Sequence, residues 1–546
     1  MPDERFDIVV RSGFVIDGAG NPWFRADIGV KDGKIVEVGK VKGTGIKTID
    51  AYRLFICPGF MDMHSHSDYT LLVNPKAESK VRQGVTTEVV GNCGGSTAPS
   101  MGSQVEVTRR ICEDYDIEPS WSSFSSYMDA LERGKIAVNV APLVGHGTVR
   151  RCVMGVEQRD PTPKELEEMK RLVGESMEAG AFGMSTGLVY PPGRYAKTSE
   201  IIELCKIVAK YGGMYTSHIR GERETLVDAV KEAIEIGEKA GVPVEISHHP
   251  AKIGGWGKSV ETLRLIDKAR ASGVEVTCDM HSYIGGETSL SALLPPWVQE
   301  GGSKKILERM KDRELRKRIR EDMIEEKIPG PGPCGLVKRG MWEKIMISSY
   351  PRKEVVGKTV HEIAQDRGLD PFDAYFDLLF EADASGAIVG LYYNEEDIRR
   401  VLLHGCSMIG SDGYALAPYG VLGRGQKHPR SYGTFPMLFR KYVKGETRKD
   451  LRDDAGEKLV TLQEIVRKMT SLPAQKLGLR DRGLLREGMW ADIVAFDLER
   501  IADKATYLQP YQYPDGIEYV LVNGVVVVEK GEHTGALPGK PLKHYL

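Results

Sequence analysis

From residue 55 to residue 410 the chain repeats one pattern: a short apolar run, then a longer run with apolar residues at every third or fourth position. The short runs are Phe55–Met63, Thr87–Gly91, Val138–Val144, Phe182–Ser185, Gly213–Ser217, Pro243–Ser247, Glu275–Asp279 and Ser407–Gly410. Among the runs between them, Lys164–Ala179, Thr198–Tyr211, Glu222–Ala240 and Val260–Ser272 carry the period of an amphipathic helix. Pro161 and Pro163 suit the entrance of the first, and Gly180, Gly212, Gly241 and Gly273 stop the four in turn. Eight strands alternating with helices are the arithmetic of an α/β (β/α)8 barrel of the TIM type.

Both ends of the chain read differently. Phe6-Asp-Ile-Val-Val and Ile28–Val38 alternate apolar and polar residues, with Asp32-Gly33 set between two runs as a hairpin signal. Near the other end, Ala491–Phe496 and Tyr519–Val528 do the same around Asn523-Gly524. The two ends are expected to meet in one small β-sandwich. The division is residues 1–57 and 481–546 as sandwich and residues 58–480 as barrel, with an insertion around 285–345. That insertion holds a charged helical stretch, Lys304–Lys327, then Pro329-Gly-Pro-Gly-Pro, and is placed over the barrel mouth because a structureless loop of that length is improbable.

Composition narrows the function classes. Lys+Arg 75 against Asp+Glu 77 gives a formal charge of -2, so no basic surplus exists to hold a nucleic acid. No run is long enough to span a bilayer, and Met1-Pro-Asp-Glu-Arg-Phe lacks the apolar core of a signal peptide. Eight cysteines without a CxxC pair are not a disulfide framework in a 546-residue chain. Reduced thiols and a cytoplasmic location are the expectation.

The strand ends carry the chemistry. The first ends in Asp62-Met-His64-Ser-His66-Ser-Asp68, the second in Gly91-Asn-Cys93, the third in Gly145-His146-Gly147. The fifth ends in Ser217-His218, the sixth in Ser247-His248-His249 and the eighth in Ser411-Asp412-Gly413. In a barrel these ends converge on one face. The histidines of His-x-His share one side of an extended strand, which suits two imidazoles to one metal. A lone His-x-His arises by chance, and one cysteine is more often a buried thiol. With only 12 histidines in the chain, their gathering at predicted strand ends favours ligands over coincidence. Strand parity puts His248 and His249 on opposite sides without saying which faces inward.

These residues resemble the amidohydrolase superfamily, and within it the N-acyl-D-amino-acid deacylases. Pro58–Asp68 is similar to the superfamily's first-strand motif, and Gly483–Val494 to the segment that returns the chain to the sandwich. Gly91-Asn-Cys93-Gly, Leu143–Thr148, Ser217–Arg220, Ile246–His249 and His428-Pro-Arg430-Ser-Tyr-Gly-Thr-Phe-Pro436 resemble the deacylases more specifically. The resemblance implies one tightly bound zinc on Cys93, His218 and His248. It implies a second, weaker metal position facing His64, His66 and Asp412, with Asp412 as general base and acid. Arg430 resembles the arginine that takes the substrate carboxylate, with Tyr190 and Tyr283 nearby. Pro250 stands where the family often has a lysine, so Lys252 is taken in its place. The expected reaction is hydrolysis of small N-acyl-D-amino acids to a carboxylate and a free D-amino acid. Two alternatives stand beside it. A hydantoinase or dihydroorotase would bridge two metals with a carboxylated lysine after strand four, where this chain has Met184-Ser-Thr-Gly187. An inactive assembly module would have lost ligands that are present here.

Overall fold

Asp32-Gly33 and Asn523-Gly524 are the two-residue turns that the sequence suggests. All four residues take positive φ, 51° and 77° in the first turn, 49° and 77° in the second. That twist matches the strands they join: Phe24–Lys31 with Lys34–Gly39, and Ile517–Val522 with Val525–Glu529. In the computed structural model, which describes residues 5–299, 302–326, 333–425, 427–451 and 456–544, both hairpins belong to one nine-stranded sheet. Arg5–Val15 and Phe55–Pro58 from the start of the chain lie in the same sheet as Ile493–Phe496 from its end. Ile8, Val10, Ile28, Val30, Ile35, Ile56, Ile493 and Leu521 are buried together, so the alternating faces of both termini close over one small core.

The expected first run, Phe55–Met63, is two strands. Phe55–Pro58 pairs within the terminal sheet, whereas Phe60–Asp62 pairs in parallel with Val85–Val90. Around the barrel follow Asn139–Pro142, continued by Val144–Gly145, then Gly183–Gly187, Met214–His218, Val244–Ile246, Val276–Met280 and Ser407–Ile409. Every neighbouring pair is parallel. The barrel closes where Met63 N–H donates to Ile409 O at 3.1 Å and Asp412 N–H to His64 O at 2.7 Å. All eight expected staves are present.

The intervening helices explain their own limits. Pro163–Glu178 starts at a capping box between Thr162 and Glu165, with Pro163 in its first turn. Leu226–Ala240 ends on Gly241 in the left-handed conformation. It begins four residues later than the periodicity suggests, which leaves Glu222 in the loop above the fifth strand. The charged stretch is two helices, Gly302–Lys311 and Arg313–Glu325, the second capped by Asp312. A three-stranded antiparallel sheet, Gly286–Ser289, Ala387–Gly390 and Ile345–Ser349, stands between the seventh and eighth staves. Residues 329–332 of the proline-glycine run, like residues 1–4, lie outside the described residues. No described helix is long and apolar enough to cross a membrane.

Candidate metal centre

Cys93, His248 and Asp412 each follow the end of a barrel strand, and each holds a positive φ, 52°, 35° and 50°. Non-glycine residues rarely adopt that backbone, and such strain collects at functional sites. The twist turns all three side chains into one buried cluster. Cys93 Sγ lies 3.3 Å from His64 Nε2, 3.6 Å from His218 Nδ1 and 3.7 Å from His248 Nε2. His249, by contrast, turns away and hydrogen-bonds Thr262 on the outer helix. His66 Nε2 reaches Asp412 Oδ1 at 3.0 Å, and His64 Nε2 comes within 3.7 Å of the same oxygen. The other oxygen of Asp412 accepts from Arg430 Nη1 at 2.5 Å.

Two carboxylates that the sequence reading overlooked brace these rings. Glu222 meets His218 Nε2 at 3.2 Å and His248 Nδ1 at 3.0 Å, while Lys252 Nζ donates to it at 2.5 Å. Asp279, at the end of the seventh stave, lies 3.2 Å from His64 Nδ1 and accepts from His248 N–H at 2.9 Å. Each of the three imidazoles nearest Cys93 therefore has one nitrogen on the sulfur and the other on a carboxylate. The His218–Glu222 spacing of four residues was the available signal for Glu222, obscured because the segment reads as helix.

Charge runs through the cluster. Burial would raise the Cys93 thiol, but His64, His218 and His248 carry it well below the ordinary range. Burial would lower His248, yet Cys93 and Glu222 raise it to about 9. His66 rises to about 9 against burial, through Asp412 and Cys93. Asp412 is likewise held well below the carboxylate range against burial, by Arg430, His66, His64 and His248.

The donor types suit a zinc ion, and three sets of donor atoms lie within 4.8 Å of one another: His64, Cys93 and His248; His64, His66 and Asp412; and His218, Glu222 and His248. Bonds of 2.3 Å to sulfur and about 2.0–2.1 Å to nitrogen at the tetrahedral angle put ligand atoms about 3.6 Å apart, and Cys93 stands 3.6 and 3.7 Å from His218 and His248. Four acids (Cys93, Glu222, Asp279, Asp412) face two bases (Lys252, Arg430). The protons that His66 and His248 hold up to about 9 offset this excess of negative charge, and a divalent cation displacing them would supply the same compensation.

Beneath the cluster lies a second network. Lys80, fully buried, donates to Asp62 at 2.6 Å and Ser411 Oγ at 2.7 Å, with Glu88 at 3.3 Å. Asp62 also accepts from Ser411 N–H at 2.8 Å and from His64 N–H at 3.3 Å, tying the first strand end to the eighth.

The remaining expected residues lie at different distances from the centre. Tyr190 stands at the mouth, its ring 4.9 Å from that of His218. Tyr283 is buried under the His428-Pro-Arg430 segment, its hydroxyl 3.4 Å from Pro429 O and its ring packed on His428. His146 lies outside the cluster, bonded to Glu200 at 2.9 Å. At strand four, a side chain on Gly187 would collide with Cys93 O, and Met184–Gly187 offers no lysine.

Known proteins share this arrangement of chain. The Amidohydrolase family pattern matches residues 47–264 and 437–528. A D-aminoacylase of Alcaligenes xylosoxydans xylosoxydans is 36% identical over 544 residues, covering 98% of this chain and 97% of that protein. The crystal structure of N-acyl-D-glutamate deacylase from Bordetella bronchiseptica, complexed with zinc and a phosphonate mimic of the tetrahedral intermediate, superposes with a TM-score of 0.78. It is 32% identical and covers 99% of this chain and 100% of that one. A D-aminoacylase examined for one-metal activation and second-metal attenuation of its binuclear centre superposes at 0.77, with 33% identity over 98% of this chain and 100% of that one. With more than half of its residues matched by the family pattern and full-length relatives above 30% identity, the chain belongs to the amidohydrolase family.

Proposed function

We propose that the protein hydrolyses the amide bond of N-acyl-D-amino acids, releasing a carboxylate and the free D-amino acid. The observation that carries this reading is one oxygen of Asp412 against His66 and the other against Arg430, beside the Cys93–His218–His248 cluster. Cys93, His218 and His248 would hold a tight zinc, and His64, His66 and Asp412 a weaker second position. Bound zinc polarises a carbonyl oxygen and makes water a nucleophile near neutral pH.

The chain's own residues supply the rest. Asp412, held ionised by Arg430 and the histidines, takes the proton of the attacking water and delivers it to the departing nitrogen. The Arg430 guanidinium, at the first position of helix Arg430–Leu438, offers a fork that suits the substrate carboxylate and fixes one enantiomer. Tyr190 borders that space, Tyr283 supports the backbone before Arg430, and Lys252 neutralises Glu222. Residues 58–480, with their insertion around 285–345, form the hydrolase unit, and residues 1–57 with 481–546 the sandwich. The absence of a strand-four lysine speaks against the cyclic-amide alternative, and the intact donor set speaks against an inactive module.

Asp412→Asn is the direct test. Zinc content stays near that of the native protein, while kcat for N-acetyl-D-amino acids falls by about 10²–10⁴-fold, the contribution of a general acid–base. N-acetyl-L-amino acids and hydantoins assayed beside them fix the class, and retained turnover in the variant ends the assignment.

A further inference from the structure

A cavity of about 550 Å³ opens beside the outer half of the metal centre, with His66 in its wall. Sites that enclose small ligands span about 300–1,000 Å³. Its walls come from the loops that follow the first, second and eighth staves and from the helices Gln104–Asp114 and His146–Met154. Val107 and Ile111, four residues apart on the first of these helices, present one face to the cavity. Tyr69, Tyr115, Tyr414 and Val421 complete an apolar wall. Tyr115, Tyr414 and Val421 pack in turn against the buried Leu416, Leu422 and Tyr432, and Tyr69 packs on Trp121. The wall is therefore fixed before a ligand arrives.

The charged groups of the lining select no sign. Two acids, Asp68 and Asp114, nearly balance three bases, Arg151, Arg424 and Lys427. Asp114 and Arg424 are exposed, and Arg424 lies 3.5 Å from Asp116. Arg151 donates to Gln104 Oε1 at 3.0 Å and to Pro191 O at 3.4 Å, while Lys427 stands 6.0 Å from the centre of the Tyr414 ring. Position supplies the rest. Asp412 has one oxygen on Arg430 and the other on His66 Nε2. A carbonyl carbon beside Asp412 carries two substituents, the amino-acid nitrogen and the acyl chain. With the carboxylate of the amino acid on Arg430, the acyl chain leaves on the His66 side. There the Tyr414 ring, 5.8 Å from that of His66, begins the apolar wall.

We propose that this cavity holds the acyl group of the substrate, and that the preferred substrates carry an uncharged apolar acyl group of the hexanoyl or phenylacetyl kind. The inference rests on the reaction proposed above and adds its acyl specificity, set by Val107, Ile111 and Tyr414. An acetyl group places one methyl, close in size to a water molecule of about 30 Å³, at the inner end and leaves the wall wet. A longer chain takes both the wall and its own methylenes out of water, worth about fourfold in affinity for each methylene fully buried.

The test compares acetyl, hexanoyl, phenylacetyl and succinyl derivatives of D-alanine, D-leucine and D-glutamate on the zinc-loaded protein. Hexanoyl and phenylacetyl compounds should exceed acetyl in kcat/KM by about tenfold or more, chiefly through KM, and succinyl, which adds a charge, should not. Ile111→Trp fills the cavity from the helix side and should lower the hexanoyl-to-acetyl ratio by about tenfold, and Val107→Trp stands in if the first variant loses its urea midpoint. Calorimetry with the free acids reads the same wall without turnover. Hexanoate should bind the native protein more tightly than acetate, and the Trp variant should erase the difference. A hexanoyl-to-acetyl ratio near one, a ratio that the Trp variants leave unchanged, or succinyl as the best substrate overturns the proposal. Failure of every derivative while hexanoate still binds better than acetate would strike the reaction and keep the ligand class of the cavity; failure of both would strike both.

Discussion

The two halves of the candidate centre use similar side chains in different surroundings. On the inner side, Cys93 faces His218 and His248, and Glu222 backs both rings. On the outer side, Asp412 faces His66 and His64 but is also held by Arg430. The two inner rings share Glu222, itself neutralised by Lys252, and such bracing strengthens metal ligation. The outer carboxylate is shared among two imidazoles and a guanidinium, so a cation there would compete with Arg430 and with the proton-carrying role proposed for Asp412. The inner position is therefore built to keep its ion, and the outer one to keep Asp412 available.

The largest effect expected from breaking this contrast comes at Cys93, whose sulfur touches both halves. Cys93→Ser should empty the inner position and remove several kcal/mol of Lewis-acid stabilisation, about 10³-fold or more in kcat/KM. Zinc measured by atomic absorption falls in parallel, and full zinc occupancy in the variant would mean that the sulfur is no ligand. Next comes the support below the outer half. Lys80→Met leaves Asp62 and Glu88 buried without their cation, and removing one member of a buried ion pair costs about 3–5 kcal/mol. The urea midpoint should drop accordingly, and a second change, Glu88→Gln, should recover part of the loss. An unchanged midpoint refutes the buried-pair account. A smaller effect is expected at the inner brace. Glu222→Gln keeps the fold but weakens both rings' orientation, lowering zinc affinity by about 10–100-fold in a chelator competition.

How much of this could be read from the sequence depended on whether local pattern or tertiary contact decided each residue. The staves were legible because eight apolar runs alternate with helical periods, and the turns because Asp32-Gly33 and Asn523-Gly524 demand positive φ. Phe55–Met63 reads as one strand because apolar character continues across Pro58-Gly59, where the chain passes from one sheet to the other. His64, Cys93, His218, His248 and Asp412 stood out at strand ends. Glu222 did not, since glutamate at the start of an apparent helix is ordinarily a solvated residue, and only the fold turns it inward. Asp279 ends a stave in the same way but belongs to no histidine motif. Lys80 reads as the exposed face of a short helix, and its burial is decided by Asp62 and Glu88, 18 residues before it and eight after. The choice between His248 and His249 rests on a positive φ at His248 that parity does not encode.

The smallest effect separates the two halves most sharply. His66 meets the cluster through Asp412, at 3.0 Å, and through Cys93, whereas Glu222 bears on the rings of His218 and His248. His66→Asn therefore leaves the inner donors whole, and Arg430 still holds one oxygen of Asp412. Zinc content should remain near one ion per chain, with kcat reduced less than about tenfold, because the proposed general acid–base, Asp412, is loosened rather than removed. The native protein should lose activity in excess zinc, as a cation in the outer position ties up Asp412, and the variant should lose less. Kinetics across a zinc titration, run beside metal quantification, would show both. If His66→Asn instead lost its zinc together with its activity, the inner and outer positions would be one site, and the contrast between a braced half and a shared half would fail.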